Sequence, residues 1–342
     1  MQSKYAQKWW TPERFLRKKP LLEQRMALLR AVRGWFEGGG FWEVETPILQ
    51  TCPVMDAHIH GFATDLKDRN LAKVKTMYLH TSPEFAMKKL LVAGVEKPYQ
   101  ICHVFRNGDD SPKHSPEFTL VEWYRASTDY KAMMDDCIHM LRHAAEKLGI
   151  FEYKYKTLAA NPFLAWNMIS VAEAFDKYAQ INLDECLEDN VEALRTAARK
   201  AGVSVRDDDR WDEIFFAVMQ EKIEPHLGIG TPAILYDYPL SLASLSKHKG
   251  RYAERFEVYV CGLELANAFT ELTDAAEQRK RFEAEMAFKQ QIYGESYPVD
   301  EDFIDALEYG MPPASGCALG FDRLAMLAAD AKDIDEILWA PV

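Results

Sequence analysis

The sequence lacks the features of a membrane or exported protein. It contains no run approaching the 18 or so apolar residues of a spanning helix, and residues 1–20 include no apolar segment typical of a secretory signal. The six cysteines lie far apart and form no CxxC pair, which argues against a disulfide framework and favours reduced thiols. We therefore expect a cytoplasmic protein with no membrane partner.

The sequence also lacks internal repeats, low-complexity tracts and the glycine-rich nucleotide signatures. No GxxxxGK[ST] is present and no GxGxxG follows a predicted strand, so neither a P-loop nor a Rossmann fold is supported. Net charge is −12, although residues 1–33 carry nine Lys or Arg against two Glu. The acidic body argues against extensive sequence-independent nucleic-acid binding. The basic arm is either a solvated helix face or a surface for an acidic partner.

What is present is a succession of strands with helices at their flanks. Helical spacing predicts helices at 20–37, 83–93, 129–149, 276–293 and from about 322, with 168–228 mainly helical. Strand patterns occur at 41–49, 99–106, 117–125, 233–271 and 314–320. This order predicts an α+β fold on an antiparallel sheet flanked by helices. We expect one domain over 1–342, with a basic extension at 1–19 and a mainly helical insertion at 150–232.

The first predicted helix begins at Pro20 and has an apolar residue at almost every turn. Its expected core residues are Leu22, Met26, Leu29, Val32 and Phe36, and the GGG at 38–40 ends it.

A charged loop joins the two strands within FRNGDDSPKHSPEFTLVEW, residues 105–123. Alternation places Phe118, Leu120, Glu122 and Tyr124 on one strand face, while Arg106 ends the neighbouring strand. An arginine there can bind a phosphate or carboxylate, and Phe118 can stack on a base. The alternative is a buried ion pair between Arg106 and Glu122 among core aromatics.

A second hairpin lies in RFEVYVCGLELANAFTEL, residues 255–272. A two-residue turn at Cys261-Gly262 places Glu257 and Glu264 on one face, and we expect no Lys or Arg near them there. Two such carboxylates favour Mg²⁺, unless the face is simply solvated. Asn267 joins that face only if a bulge lies near residues 265–267.

A third segment, SGCALGFDRLAMLAA, combines a bare strand face with a helix start. Gly316, Ala318 and Gly320 alternate, so a ligand can lie against the backbone. Asp322 and Arg323 then open a helix whose N-terminus favours phosphate. Close strand packing with an N-capping aspartate is the alternative.

Two further residue types give no site. His58 and His60 lack an evident third metal ligand, and Cys317 has no histidine partner visible in the sequence.

Together and in order, these segments resemble the catalytic core of class II aminoacyl-tRNA synthetases. GFWEVETPIL resembles motif 1, FRN…HSPEFTLVEWY motif 2 and GCALGFDRL motif 3. TSPEFAMKKLLVAG, HSPEFTLVEWY and ELANAFTELTDAAEQRKRF resemble the lysine-specific branch. RFEVYVCGLELANAF and GMPPASGCALGFDRL are similar to its shortened paralogues, the elongation factor P–(R)-β-lysine ligases. Because the motif 1 helix starts near residue 20, we expect no OB-fold anticodon domain and no tRNA partner.

The resemblance implies a role for each matching residue. It implies that Arg106 holds the ATP α-phosphate and the substrate carboxylate, that Phe118 stacks on adenine, and that Arg323 binds the γ-phosphate. The other implied ATP-binding residues are Asn107, Gly108, His114, Ser115, Glu264, Leu265 and Gly320. The implied substrate residues are Ser82, Pro83, Glu84, Glu122, Tyr124, Asn267, Glu271 and Ala318, and the implied Mg²⁺ ligands are Glu257 and Glu264.

Within the implied substrate pocket, the two ends of the amino acid have different partners. Glu84 and Asn267 are implied at its amino and carboxylate end, and Glu122, Tyr124 and Glu271 at its far ammonium. Ala318 stands where lysyl-tRNA synthetases have glycine, and its methyl group narrows the pocket, which fits the shifted amino group of β-lysine.

The sequence departs from the family pattern in and around motif 2. Gly108 stands where the family has a glutamate that helps to hold the adenine amino group, and Asp109 and Asp110 follow it. Other departures are Lys113 near a usual arginine, Ser115 for asparagine and Ala268 for glycine.

The resemblance implies an ATP- and Mg²⁺-dependent homodimeric ligase. It activates (R)-β-lysine or lysine as an adenylate and transfers it to a lysine of elongation factor P. Two alternatives stay open, namely a minimal synthetase-like enzyme that charges a tRNA or another carrier, and a non-catalytic paralogue that binds an amino acid.

Overall fold

The computed structural model of the chain describes residues 8–108, 111–187 and 190–342. Its strands are β1 (Trp42–Glu43), β2 (Leu49–Gln50), β3 (Phe62–Lys67), β4 (Lys73–Leu79), β5 (Pro98–Phe105), β6 (Glu117–Ala126), β7 (Tyr153–Tyr155), β8 (Leu158–Ala160), β9 (Asn167–Ser170), β10 (Ala233–Pro239), β11 (His248–Lys249), β12 (Tyr252–Val260), β13 (Leu263–Thr270) and β14 (Ala314–Gly320). Its α-helices are α1 (Pro12–Gly38), α2 (Glu84–Val92), α3 (Tyr130–Leu148), α4 (Val171–Ala174), α5 (Val191–Lys200), α6 (Trp211–Val218), α7 (Ala275–Tyr293), α8 (Glu301–Gly310) and α9 (Phe321–Ala329).

Shorter helical turns supplement these elements. Two are π-helical, at Phe175–Ala179 and Met219–Ile223, and the 3-10 turns are Leu183–Glu185, Glu224–His226, Leu240–Leu242 and Ile334–Glu336.

Within the described ranges, nine strands belong to one mixed sheet, which confirms the predicted α+β class. Most pairings are antiparallel, but β1 pairs with β5 and β9 with β10 in parallel. A smaller antiparallel sheet has the order β2-β4-β3, and β7 pairs with β8. Sequence alternation did not reveal the parallel pairings, because each involves a strand of only two or four residues.

The described chain divides into two compact units. The first consists of the described residues up to Ser127 together with Leu272–Ala314 and Ala318–Val342. The second consists of Thr128–Glu271 and Ser315–Cys317. The domain boundaries predicted from the sequence stay a prediction, and residues 1–7 of the basic arm lie outside the described ranges.

The first helix begins earlier than predicted. Thr11 has extended backbone angles and Pro12 takes the first helical position, where its missing N–H is no loss. Pro20 lies inside α1 instead of starting it. Leu22, Val32 and Phe36 are buried as predicted, and Leu29 is half-buried, whereas Met26 is exposed and Leu28 is buried instead.

The predicted strand at 41–49 is two short strands in different sheets. β1 pairs with β5, whereas β2 pairs with β4. Pro47 lies between them and has no N–H to donate to a ladder, which explains the interruption.

In the first unit an aromatic cluster fixes α1 against the sheet. The ring of Phe36 stacks on Tyr99 with centroids 4.4 Å apart and meets Trp123 edge-on at 5.4 Å. All three side chains are buried, so the strands that hold the candidate site have a rigid base.

In the second unit the predicted helical insertion has its own core. Phe175, Trp211 and Phe215 stack in series and belong to the same buried cluster as Leu235 and Tyr259 of β10 and β12. The segment therefore packs as a layer on these strands.

None of the helices in the described ranges has both the length and the apolar character needed to cross a bilayer. None of the six cysteines forms a disulfide, as their spacing predicted.

Candidate active site

In the first unit, β5 and β6 carry Arg106 and Phe118 to the same place. Val104 pairs with Phe118, and the backbone N–H of Arg106 donates to the carbonyl of Pro116 at 2.9 Å. The Arg106 guanidinium lies 5.2 Å from the centre of the Phe118 ring, within cation–π range. A cation thus stands beside a half-buried aromatic face, an arrangement suited to a phosphate and a base.

The alternative ion pair between Arg106 and Glu122 is wrong. Glu122 pairs with Gln100, whereas Arg106 comes after Phe105, the last residue of β5. At about 3.4 Å per residue the two positions are roughly 20 Å apart along the strands, beyond the combined reach of both side chains.

The loop between β5 and β6 contacts the first turn of α9 through His114 and Arg323. Nη2 of Arg323 lies 2.6 Å from Nε2 of His114, and Nδ1 of His114 lies 2.7 Å from Oγ of Ser111. A guanidinium can only donate, so His114 accepts at Nε2 and carries its proton at Nδ1. Two residues predicted for ATP binding are thereby brought together, and His114 orients the arginine.

Asp322 is a structural anchor and does not cap α9. The N-cap is Gly320, with no side-chain capping bond. Asp322 accepts from the Arg25 guanidinium and, at 2.7 Å, from the backbone N–H of Thr119. It therefore ties α9 to α1 and β6, and the predicted N-capping alternative is wrong. On β14, Ala318 and Gly320 are half-buried while Leu319 between them is buried, so their alternation opens one face.

Glu122 is a buried carboxylate that accepts hydrogen bonds from two hydroxyl groups. Oε1 accepts from Tyr124 at 2.6 Å, Oε2 accepts from Ser82 at 2.6 Å, and the residue is only 1% exposed. Burial, followed by the charge of the nearby Glu84 carboxylate, raises the pKa of the Glu122 carboxyl to about 7. The hydroxyl bonds and the Lys88 charge oppose this rise without cancelling it. The site favours a cation on Glu122.

Glu84 begins α2 and is paired inside the protein. Its carboxylate accepts from the ammonium of Lys88 at 2.5 Å, and both residues are buried. The backbone N–H of Glu84 donates to the same Ser82 hydroxyl at 3.1 Å, so Ser82 links the Glu122 carboxylate to the start of α2. Sequence analysis missed Lys88, although its spacing of four residues from Glu84 on a predicted helix indicates such a pair.

In the second unit the hairpin has the predicted turn, and it has the bulge that the sequence analysis left open as one alternative. Cys261 and Gly262 both have positive φ, as a two-residue turn requires, and Tyr259 pairs with Glu264. The register then shifts, so that Val258 pairs with Ala266 and Leu265 is the extra residue. The bulge brings Asn267 opposite Glu257. Without the bulge, simple alternation would place Ala266 opposite Glu257.

Glu257 is already paired with an arginine, contrary to expectation. Its Oε1 accepts from Arg255 at 2.7 Å, and its Oε2 accepts from Tyr238 at 2.6 Å and Tyr259 at 2.8 Å. Arg255 also donates to Oδ1 of Asn267 at 3.1 Å. The arginine lies two residues before Glu257 and so on the same face, which is the signal that sequence analysis overlooked.

The donors of this face fit Mg²⁺ unevenly. Glu264 is exposed, whereas both oxygens of Glu257 already accept hydrogen bonds. Carboxylates are ligands that Mg²⁺ accepts, commonly one or two together with nucleotide phosphates. A Mg²⁺ ion that arrives with a nucleotide therefore fits, with Glu264 as the more accessible ligand. Among the described residues no cluster of three or more His, Cys, Asp or Glu could hold a metal.

The other predicted residues differ in accessibility. Pro83, Ser115, Leu265 and Glu271 are buried, Asn267 is half-buried, and Asn107 and Gly108 are exposed. Gly108 has φ +88°, which favours glycine over the family's glutamate. Asp109 and Asp110 lie outside the described ranges.

Known proteins resemble this chain over most of its length. The family model of the class II tRNA synthetases (D, K and N) matches residues 2–342. The chain is 36% identical to the elongation factor P–(R)-beta-lysine ligase of Hamiltonella defensa over 330 residues, covering 94% of each protein. It is 37% identical to the ligase of that name from Pectobacterium carotovorum, covering 93% of each.

A lysine–tRNA ligase, from Carboxydothermus hydrogenoformans, is also 37% identical. That match covers 93% of this chain but 64% of the lysine–tRNA ligase. Sequence, fold and motif positions agree: the chain belongs to the class II tRNA synthetases (D, K and N), a family of ATP-dependent ligases.

Proposed function

We propose that the protein activates (R)-β-lysine or lysine with ATP and transfers it to a lysine side chain of elongation factor P. The observation that carries the amino-acid part is Glu122, a buried carboxylate whose hydrogen-bond donors, Ser82 and Tyr124, are neutral. A substrate ammonium supplies the missing positive charge, and burial makes that pairing strong. The partner is taken from relatives that match over 93–94% of both chains.

In the first step an oxygen of the amino-acid carboxylate attacks the α-phosphorus of ATP. The bond from that phosphorus to the β-phosphate oxygen breaks, and pyrophosphate leaves. Arg106 holds the carboxylate and the α-phosphate, Phe118 stacks on adenine, and Arg323, oriented by His114, binds the γ-phosphate. These residues act by positioning and by neutralising charge, the main contributions in phosphoryl transfer.

Glu264, with Glu257 beside it, would hold Mg²⁺, which neutralises phosphate charge when bound. Arg255 holds the Glu257 carboxylate in place on its strand. In the second step the amine of the acceptor lysine attacks the activated carbonyl. AMP leaves and the amine loses a proton.

Transfer to a tRNA is the second candidate. The lysine–tRNA ligases are as similar in sequence as the elongation factor P ligases, at 36–37% identity. This chain covers only 63–64% of them, so their whole activity does not carry over without a test.

Pyrophosphate exchange tests the activation step. Purified protein with ATP, Mg²⁺ and labelled pyrophosphate should exchange label only when lysine or (R)-β-lysine is added. Leucine, which lacks the far ammonium, serves as the control amino acid. Exchange that is absent with both lysines, or equal with leucine, contradicts the proposed activation.

A further inference from the structure

Lys289 in α7 is a buried cation that the proposed reaction does not use. Its side chain is 0% exposed, and burial lowers the pKa of its ammonium. Such burial is costly unless the charge gains close partners. The contacts of the Lys289 ammonium should therefore explain why this charge is buried.

The partners of Lys289 lie in an irregular loop. The ammonium donates to the backbone carbonyls of Ala57 at 2.9 Å and Ile59 at 3.0 Å. Glu295 lies 3.7 Å from the ammonium, and the Tyr297 ring centre lies 5.1 Å away. The lysine thus fixes two carbonyls of the segment 56–61, the pinned loop.

Side chains from the same region hold the rest of the pinned loop. The Gly61 N–H donates to the hydroxyl of Tyr297 at 2.9 Å, and the Ala57 N–H donates to Glu285 at 3.2 Å. His60 Nδ1 lies 2.8 Å from Glu295. Because residues 56–60 contain a turn at 57–58 and no strand, these contacts determine their path.

The pinned loop in turn holds the candidate nucleotide loop. The His60 carbonyl accepts the backbone N–H of Asn107 at 2.8 Å. Asn107 directly follows Arg106, whose own N–H bonds Pro116 on the other side. The chain direction at Arg106 is therefore fixed from two sides, once by β6 and once by the pinned loop.

We propose that Lys289 is a positioning residue for ATP: it fixes the carbonyls on both sides of His58, so that His60 holds Asn107 and the backbone that aims Arg106. The inference rests on the proposed ATP-dependent activation. Lys289 touches no substrate in this account. A displacement of about 1 Å at a positioned group can cost up to 100-fold in rate, so a remote pin has measurable consequences.

Hydrogen exchange at the Asn107 amide tests the contact without any substrate. Lys289→Met removes the charge and its donors but keeps an unbranched side chain, and Lys280→Met, at an exposed position of α7, is the matched control. In ligand-free protein we expect exchange at Asn107 to quicken about tenfold in Lys289→Met and to stay unchanged in the control. Unchanged exchange in Lys289→Met overturns the proposal.

Kinetics then separate positioning from mere stability. Pyrophosphate exchange should show the KM values for ATP and for the amino acid both raised, about tenfold for ATP, in Lys289→Met, because Arg106 holds both the α-phosphate and the carboxylate, and both values unchanged in Lys280→Met. A purely structural role lowers Tm and leaves both KM values unchanged in the folded protein, which contradicts the proposal. A wild-type protein without pyrophosphate exchange refutes the proposed function, while Asn107 exchange still decides the contact.

If Lys289→Met does not fold, Tyr297→Phe tests the pinned loop at its other end. It removes the hydroxyl that accepts the Gly61 N–H. We expect a smaller rise in Asn107 exchange, about threefold, as for the loss of one hydrogen bond. No rise contradicts the positioning role of the pinned loop.

Discussion

Two buried glutamates, one in each compact unit, have opposite electrostatic environments. Glu257 accepts from an arginine and two tyrosines, so its charge is matched by a neighbour on its own strand. Glu122 accepts from Ser82 and Tyr124, which are neutral, while the ammonium of the nearby Lys88 donates to Glu84. The charge of Glu257 is balanced within the protein, whereas Glu122, under the proposed function, pairs with a cation that the substrate brings.

Of the substitutions that test this comparison, Glu122→Gln should have the largest effect, and the effect should be a loss of activity. The substitution keeps the size of the side chain and one acceptor oxygen but removes the charge that a substrate ammonium needs. We expect kcat/KM for lysine or (R)-β-lysine to fall about 100- to 1000-fold, the usual scale for losing one partner of a buried charge pair. Pyrophosphate exchange measures it.

Glu117→Gln, on the same strand but half-exposed, is the matched control and should keep near-normal activity. A Glu122→Gln enzyme within about threefold of wild type would remove Glu122 from the substrate site.

Glu257→Gln should act first on stability. It leaves the guanidinium of Arg255 without its carboxylate, and both side chains are mostly buried. We expect the free energy of unfolding to fall by about 2–4 kcal/mol, measured by urea denaturation, because breaking a buried pair strands the remaining charge. Glu254→Gln on the same strand should change it by less than about 0.5 kcal/mol. Equal stability of all three proteins contradicts the ion-pair interpretation.

The pH dependence of stability sharpens the same contrast. The pKa of Glu122 is raised from an ordinary 4.5 to about 7, so between these pH values the native state keeps a proton that the unfolded state has lost. The stability of wild type relative to Glu122→Gln should therefore fall by about 1–3 kcal/mol as pH rises from 4.5 to 7, and then level off. Urea unfolding of both proteins across this range measures it. A difference that rises with pH, or does not change, contradicts the assignment.

Ala318→Gly should have the smallest effect and concerns the shape of the pocket. Removing the methyl group widens the half-buried face of β14. We expect the preference for (R)-β-lysine over lysine, as a ratio of kcat/KM values, to fall about three- to tenfold, in the lower range for one methyl group. An unchanged ratio, with unchanged Tm, means that Ala318 does not set the amino-acid preference.

The features that could be predicted from the sequence depend on residues close together along the chain. The Cys261-Gly262 turn and the bulge at Leu265 follow from turn length and from a conflict of strand faces, both readable over a few residues. Arg106 beside Phe118 follows from strand alternation and the loop that joins β5 to β6. Family resemblance supplied the roles of these residues, which spacing alone does not give.

The features that could not be predicted depend on packing between residues far apart along the chain. The burial of Glu122 depends on elements far apart in sequence, such as Ser82 at the start of α2. Lys289 and the pinned loop are separated by about 230 residues, so no spacing rule relates them. Lys88 and Arg255 differ, because their spacing to Glu84 and Glu257 was visible and indicated ion pairs.

Transfer of the activated amino acid to elongation factor P is the central claim, and intact-mass measurement tests it most directly. Elongation factor P and tRNA are incubated together with the protein, ATP, Mg²⁺ and (R)-β-lysine or lysine. We predict that elongation factor P gains the mass of one such residue with loss of water, only when ATP is present, while the tRNA stays uncharged. Charged tRNA together with elongation factor P of unchanged mass would contradict the account.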